Sequence, residues 1–250
     1  MRLYALLVSC LLSISALAAE VVKVGIYDFP PYAFVGDKMT GITVQMIAAM
    51  NKFQDDYEFV AVPTTSRRRY QDFEKNKFDM MIFESKNWGW QKYPVAVSQT
   101  FVTGEEVYVT QAKPGRGQDF FSDFKNKAMI GVLGYHYQFA DFHAELDYLE
   151  KNFNILQTNS QKQSLGLILK DRGDIAVLSK SYLNYHFSHS PTDKAKLLIS
   201  DKFDQIYRHT ILVRKNNQLS VRYINKLLDQ MKQENTLKPL WEKYGLEAKH

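Results

Sequence analysis

Glu84 closes the buried-looking run Phe78 to Phe83, and a carboxylate at the carboxyl end of such a strand is well placed to meet a ligand in an open α/β sheet. Combined with Lys180 or His136 it has the groups that a proton transfer needs. The bland alternative for Glu84 is a solvated loop carboxylate. Trp88 and Trp90 flank Gly89, so one loop carries either a stacking and cation–π wall or two rings that pack at the surface. Arg67, Arg68 and Arg69 follow Ser66, a residue type that caps helices. Arg67 is the one of the three taken to reach an anionic ligand at the helix start, where the macrodipole helps; the alternative is three solvated helix charges. His186 and His189 are spaced to share a helix face, but no carboxylate or third histidine near them in sequence completes a metal set. There is no Gly-x-Ser-x-Gly, no phosphate-cradling glycine loop and no His-Glu-x-x-His. These motifs favour a binding protein over an enzyme, with no metal or other cofactor.

Alternating strands and helices must position these residues. Val21 to Tyr27 is β-branched and is stopped by Asp28-Phe29-Pro30-Pro31, because proline cannot donate to a ladder. Ile42 to Phe53 puts Ile42, Met46, Ile47, Met50 and Phe53 on one helical face. Tyr57 to Val62 alternates as a strand, Ser66 caps a predicted helix through Glu74, and Phe78 to Phe83 is a strand buried on both faces. After the strand Glu106 to Thr110 and the breaker Lys113-Pro114-Gly115, the rhythm restarts. Met129 to Leu133 is a strand, Phe139 to Phe153 a helix, Asn154 to Gln157 a strand, Gln161 to Leu169 a helix, and Ile175 to Leu178 a buried strand. Tyr207 to Val213 is a strand, and Leu219 to Tyr244 a helix pair that could complete either half. The restart predicts two α/β lobes.

Composition agrees with a folded chain. Of 250 residues, 45% are apolar and 24% charged, well clear of disordered chains. A net charge of +5, with Arg67-Arg68-Arg69 as the longest basic run, is too mild for a nucleic-acid tract. Met1-Arg2, the apolar run Leu3 to Leu17 and Ala16-Leu17-Ala18 read as a secretory signal peptide over residues 1–18, cut after Ala18, rather than as a membrane anchor. Leu7-Val8-Ser9-Cys10 resembles a lipobox, but Cys10 lies in the middle of the apolar run. Cys10 is the only cysteine, so the processed chain has no disulfide and no thiolate chemistry. A cleaved signal without disulfides suits a bacterial periplasm.

Gly25-x-x-x-Phe29-Pro30-Pro31-Tyr32, Gly41-Ile42-Thr43-Val44, Asn76-Lys77-Phe78-Asp79-Met80-Met81-Ile82, Val97-Ser98, Gly131-Val132-Leu133-Gly134, Ile175-Ala176-Val177 and Asn235-Thr236-Leu237…Trp241…Tyr244-Gly245 occur in a fixed order. Together they resemble the family 3 (amino-acid-type) solute-binding proteins of bacterial ABC transporters, from about Val22 to Gly245. The resemblance implies a bilobal α/β periplasmic-binding-protein fold of type II, with two crossing strands near Glu106–Thr110 and His209–Val213. Lobe 1 would hold residues 19–108 and 209–250, and lobe 2 residues 109–208. The implied function is capture of a small solute in the cleft by a monomer, which hands it to an inner-membrane permease. A ligand-sensing module for a membrane receptor is the alternative, with a cleft dehydratase third.

The resemblance also places the site, and there the chain departs from the family. The arginine that forks onto an amino-acid carboxylate falls at Gln91, twelve residues after Asp79. Two small hydroxyl positions fall at Lys86 and Trp88. The aspartate that takes the α-ammonium falls at Lys180. Phe29 matches a ligand-stacking ring, Ser66 the position of another such ring, with Arg67 next to it, and Tyr135 and His136 a second-lobe loop that touches ligand. Glu84 faces the implied cleft. The ligand is therefore expected not to be an ordinary α-amino acid.

Overall fold

The computed structural model describes residues 19–244 and 246; the expected signal peptide, Cys10 and Gly245 lie outside the described residues. β1 (Glu20–Ile26) feeds the Pro30-Pro31 turn, where Phe29 and Ala33 exchange backbone hydrogen bonds of 3.0 Å. Gly41 follows with φ +106°, and a Cβ there would stand 2.7 Å from the Tyr32 carbonyl oxygen, so the close approach requires glycine. α1 (Ile42–Phe53) then buries Ile42, Met46 and Met50, the face its spacing predicts. β2 (Tyr57–Pro63) and β3 (Met80–Glu84) pair in parallel with β1 on either side, and the short α2 (Arg69–Glu74) lies between them in sequence. All five residues of β3 are buried.

After β4 (Val95–Val97) and β5 (Val102–Gln111) come β6 (Met129–Val132), α3 (Leu146–Asn152), β7 (Ile155–Thr158), α4 (Gln161–Leu169), β8 (Ile175–Ser179), α5 (Lys180–His189), β9 (Leu197–Arg214), α6 (Val221–Gln233) and α7 (Leu237–Lys243). The strand order is β2-β1-β3-β9-β5-β8-β6-β7, with β4 also on β9. β9 joins the two lobes. Its first part, Leu197 to His209, runs antiparallel to β5, and its last, Thr210 to Arg214, runs antiparallel to β3 and β4. α6 and α7 pack on α1, and their Ile224, Leu227, Met231 and Trp241 join the same buried core.

Three sequence expectations are corrected. Ser66 caps no helix: its hydroxyl donates to the Leu133 carbonyl at 2.6 Å, and α2 starts only at Arg69. The single helix over Phe139–Phe153 is a 3-10 turn at Gln138–Ala140 and the separate α3, because Asp141 and Phe142 both take positive φ, 50° and 61°. β9 begins ten residues before Tyr207, since β5 offers its polar sequence a partner along that whole length.

Candidate functional site

The carboxyl ends of β1, β3 and β6 converge on a small closed cavity of about 10 Å³, room for about one water molecule. Tyr27 and Phe29 come from the end of β1, Arg69 from the start of α2, and Trp88 from the loop after β3. Tyr135 and His136 come from the loop after β6, and Glu106 from β5. The walls are mostly rings in tight order. Phe29 stacks on Tyr27 at 5.9 Å, meets Tyr135 edge-on at 5.6 Å, and meets Trp88 edge-on at 6.0 Å.

Hydrogen bonds join the lobes around this cavity. The Tyr135 hydroxyl donates to the Asp28 carbonyl at 3.1 Å, and Trp88 Nε1 donates to Gln205 Oε1 at 3.0 Å. Gln205 Nε2 in turn donates to Glu106 Oε2 and to the His136 carbonyl, both at 2.6 Å. The Tyr70 hydroxyl donates to the Trp88 carbonyl at 2.6 Å and lies 3.3 Å from His136 Nε2. Gly134 has φ +79°, and a Cβ there would stand 2.9 Å from the Arg67 backbone nitrogen, so the second-lobe loop sits directly on the first lobe.

One wall holds a buried ion pair. Arg69 Nε stands 3.6 Å from Glu84 Oε1, with the side chains 1% and 0% exposed. The guanidinium lies 4.8 Å from the centroids of both the Tyr27 and Tyr70 rings, and donates to Tyr70 Oη at 2.8 Å and to the Ser66 carbonyl at 2.9 Å. Glu84 Oε2 accepts from Trp90 Nε1 at 2.9 Å. Local strain aims this carboxylate: Phe83, a bulky residue, has φ +61°, and the β3–β9 register shifts between Met81 and Glu84. Such a residue costs on the order of 1–3 kcal/mol, which functional sites commonly carry. Burial, the largest single influence, works against the Arg69 charge, but Glu84 and the Tyr70, Tyr27 and Tyr135 groups together outweigh it and the guanidinium stays protonated. Burial likewise pushes the Glu84 carboxyl up, against the pull of Arg69 and the Trp90 N–H.

The opposite wall is acidic. Burial, reinforced by Asp204, pushes the Glu106 carboxyl well above its ordinary value, and only the Gln205 amide pulls it back. Asp204 is also raised by burial, though it accepts from the Phe139 and Gln138 N–H groups and the Tyr108 hydroxyl. Burial, with Arg69 nearby, lowers His136 to about 3, so its ring is neutral.

The profile of the bacterial extracellular solute-binding proteins, family 3, matches residues 22–247. The chain belongs to this family. Its fold is similar to that of the GluR0 ligand-binding core in complex with L-glutamate, with 17% identity and a TM-score of 0.71 over 91% of this chain and 99% of that one. It is also similar to an ABC uptake transporter substrate-binding protein from Streptococcus pneumoniae with bound histidine, with 17% identity and a TM-score of 0.72 over 91% and 94%. A third similar structure is the ancestral amino acid-binding protein AncCDT-1, a precursor of cyclohexadienyl dehydratase, with 19% identity and a TM-score of 0.68 over 90% and 95%. Comparison with curated proteins finds no matching sequence.

In this solute-binding protein, Phe29, Trp88, Tyr135 and His136 line one cavity, and Glu84 stands behind its Arg69 wall. Arg67, Lys86, Gln91 and Lys180 do not line it. The first three are exposed, and Lys180 Nζ bonds Glu105 Oε2 at 2.9 Å on the outside, 5.7 Å from the Phe203 ring. The arginine that enters the cleft is Arg69, which is two residues beyond Arg67 and so on another side of the chain as it winds into α2. His186 bonds Asp193 and His189 bonds the Tyr185 carbonyl, and no metal-ligating group forms among the described residues. Sequence reasoning missed Tyr27, Glu106 and Gln205. Only Glu106 left a signal: a Glu105-Glu106 pair inside a β-branched strand must turn one carboxylate inward.

Proposed function

We propose that the chain captures a small solute between its lobes in the periplasm and hands the closed form to an inner-membrane ABC permease. In this reading residues 19–108 and 209–250 form lobe 1 and residues 109–208 form lobe 2. One observation carries it: the cavity is walled by Phe29 and Trp88 of one lobe and Tyr135 and His136 of the other, so a ligand there touches both. A ligand that bridges two lobes binds the closed state better and draws the hinge shut.

The ligand is not an ordinary α-amino acid. Burying a carboxylate without a charged partner costs several kcal/mol. Arg69 already has its counter-charge in Glu84, while Gln91 and Lys180 lie off the cavity. Losing a bidentate charged pair costs roughly 2–5 kcal/mol, about 30-fold to several-thousand-fold in affinity. The same facts favour binding over catalysis. Glu84 is held by Arg69 and Trp90, His136 is neutral, and Lys180 is too far round the surface to complete a proton relay. Calorimetry against the twenty amino acids is the test, with all expected to bind weaker than micromolar. Submicromolar binding of any one overturns the ligand reading. Small-angle scattering with a ligand that does bind should show a smaller radius, and an unchanged profile at saturation removes the closure mechanism.

A further inference from the structure

Glu106 is buried at 3% exposure, lines the cavity, and has no cation within ion-pair distance among the described residues. Among the described residues, the hydrogen bond made to its carboxyl group is the one from Gln205 Nε2 to Oε2. Without a cation, burial favours the protonated form of this carboxyl group, and a bound cation would supply the partner that a buried carboxylate needs. The other residues lining the cavity are Tyr27, Phe29, Trp88, Tyr135, His136 and Arg69, whose charge is paired with Glu84. Ring faces and a carboxylate together attract one kind of group, a cation.

The other charges near the cavity do not compete. Arg69 is matched by Glu84 on the far wall, with its guanidinium set between Tyr27 and Tyr70. Asp204 stands behind Glu106 and is satisfied by two backbone N–H groups and the Tyr108 hydroxyl, so it adds negative potential without closing the site. His136 turns only its carbonyl toward Gln205, and that carbonyl is a further acceptor beside Glu106. Acceptors without a cation gather on the Glu106 side, and no unmatched cation lines the cavity.

We propose that the solute is a compact organic cation without a carboxylate, its ammonium group held against the Glu106 carboxylate between the rings of Phe29, Trp88 and Tyr135, whose lobes part to admit it. The proposal rests on the solute-binding reading and sharpens it. Gln205 is a positioning residue: it bridges Trp88 and Glu106 through its two amide atoms, and so fixes the carboxylate relative to the ring that covers the cation.

Choline and tetramethylammonium are the probes, with betaine, which has the same head group plus a carboxylate, and succinate as the contrasting arms. Thermal shift at millimolar probe detects even weak binding, and calorimetry follows. Choline or tetramethylammonium should raise the melting temperature and bind at least about tenfold tighter than betaine, with no succinate binding. Glu106→Gln is close to isosteric and can keep the Gln205 contact; it should weaken the cation by about 30-fold or more while the far-ultraviolet circular dichroism stays unchanged. Trp88→Phe should weaken it by a smaller factor, as the poorer cation–π ring. Equal or tighter binding of betaine or succinate, cation affinity untouched by Glu106→Gln, or no response to either cation overturns the proposal. Native mass spectrometry of protein purified from its own periplasm separates this from the broader reading. A co-purified anion or zwitterion overturns the cation alone, whereas no bound molecule, together with no response to any probe, overturns solute binding as well.

Discussion

Removing either member of the Arg69–Glu84 pair is the most direct way to test what holds the first-lobe wall of the cleft. The two charged atoms are 3.6 Å apart and their side chains are 1% and 0% exposed. At the effective dielectric of about 20 that suits protein sites, attraction across this gap is about 4–5 kcal/mol. Desolvation offsets much of that in the intact pair, but a single substitution leaves the other charge buried and alone. Arg69→Met also loses two hydrogen bonds and the ring contacts to Tyr27 and Tyr70, so it should cost about 3–5 kcal/mol. Glu84→Gln can still accept from Trp90 Nε1 and should cost about 3 kcal/mol. For a chain of this size each 1 kcal/mol lowers the melting temperature by about 2–4 °C, which gives drops of roughly 6–20 °C. The double variant carries no stranded charge, so it should be less destabilised than the sum of the two by about 2–4 kcal/mol. Urea melts of the wild type and three variants provide the cycle. Singles that add to within about 0.5 kcal/mol would refute the argument, because the two groups would then not be an energetic pair.

Acid should destabilise the fold through two buried histidines. Burial lowers His136 and His209 from 6.5 to about 3, so the unfolded chain protonates first. Their contribution is complete above pH 6.5 and is lost as the pH falls toward about 3, by up to about 1.4 kcal/mol per pH unit for each. The raised Glu106, Asp204 and Glu84 act in the opposite sense, since the fold holds their protons more tightly as the pH falls. They are common to His209→Leu and the wild type, so urea melts between pH 7 and pH 4 should show a shallower acid decline in the variant; equal slopes would reject the histidine argument. Gly134→Ala should favour the open form, because its Cβ would meet the Arg67 backbone nitrogen at 2.9 Å only when the lobes touch. Its scattering radius should exceed that of the wild type, and an identical radius would show that this contact does not limit closure. Glu84→Gln strands the Arg69 charge beside the cavity, so it should gain affinity for small carboxylates over the wild type, read by calorimetry with acetate and succinate.

Local pattern already determined much of this protein. The 3.6-residue spacing of Ile42, Met46 and Met50 marks α1, and the unbroken apolar run before Glu84 marks β3 as buried on both faces. These patterns are legible because each element is covered in one simple way along its whole length. The order of short motifs from Gly25 to Tyr244 was enough to point to the family, and the prolines after Phe29 were enough to end β1 near its true limit. What failed were features whose cause lies far away in sequence. The first ten residues of β9 alternate poorly and are strand because β5 pairs with them. Ser66 looks like a cap, but its hydroxyl bonds Leu133 in the other lobe. The choice among three consecutive arginines is a matter of how the chain winds into α2, and only the fold reveals that Arg69 is the one facing Glu84. Motif spacing named Phe29, Trp88, Tyr135 and His136, which line one cavity because strand ends converge, but also Lys86, Gln91 and Lys180, which do not line it. It could not locate Glu106 and Gln205, which enter the site only because β5 and β9 cross between lobes side by side. Burial and partnership depend on segments about a hundred residues apart in the chain, and they decide which charges find a partner within the protein.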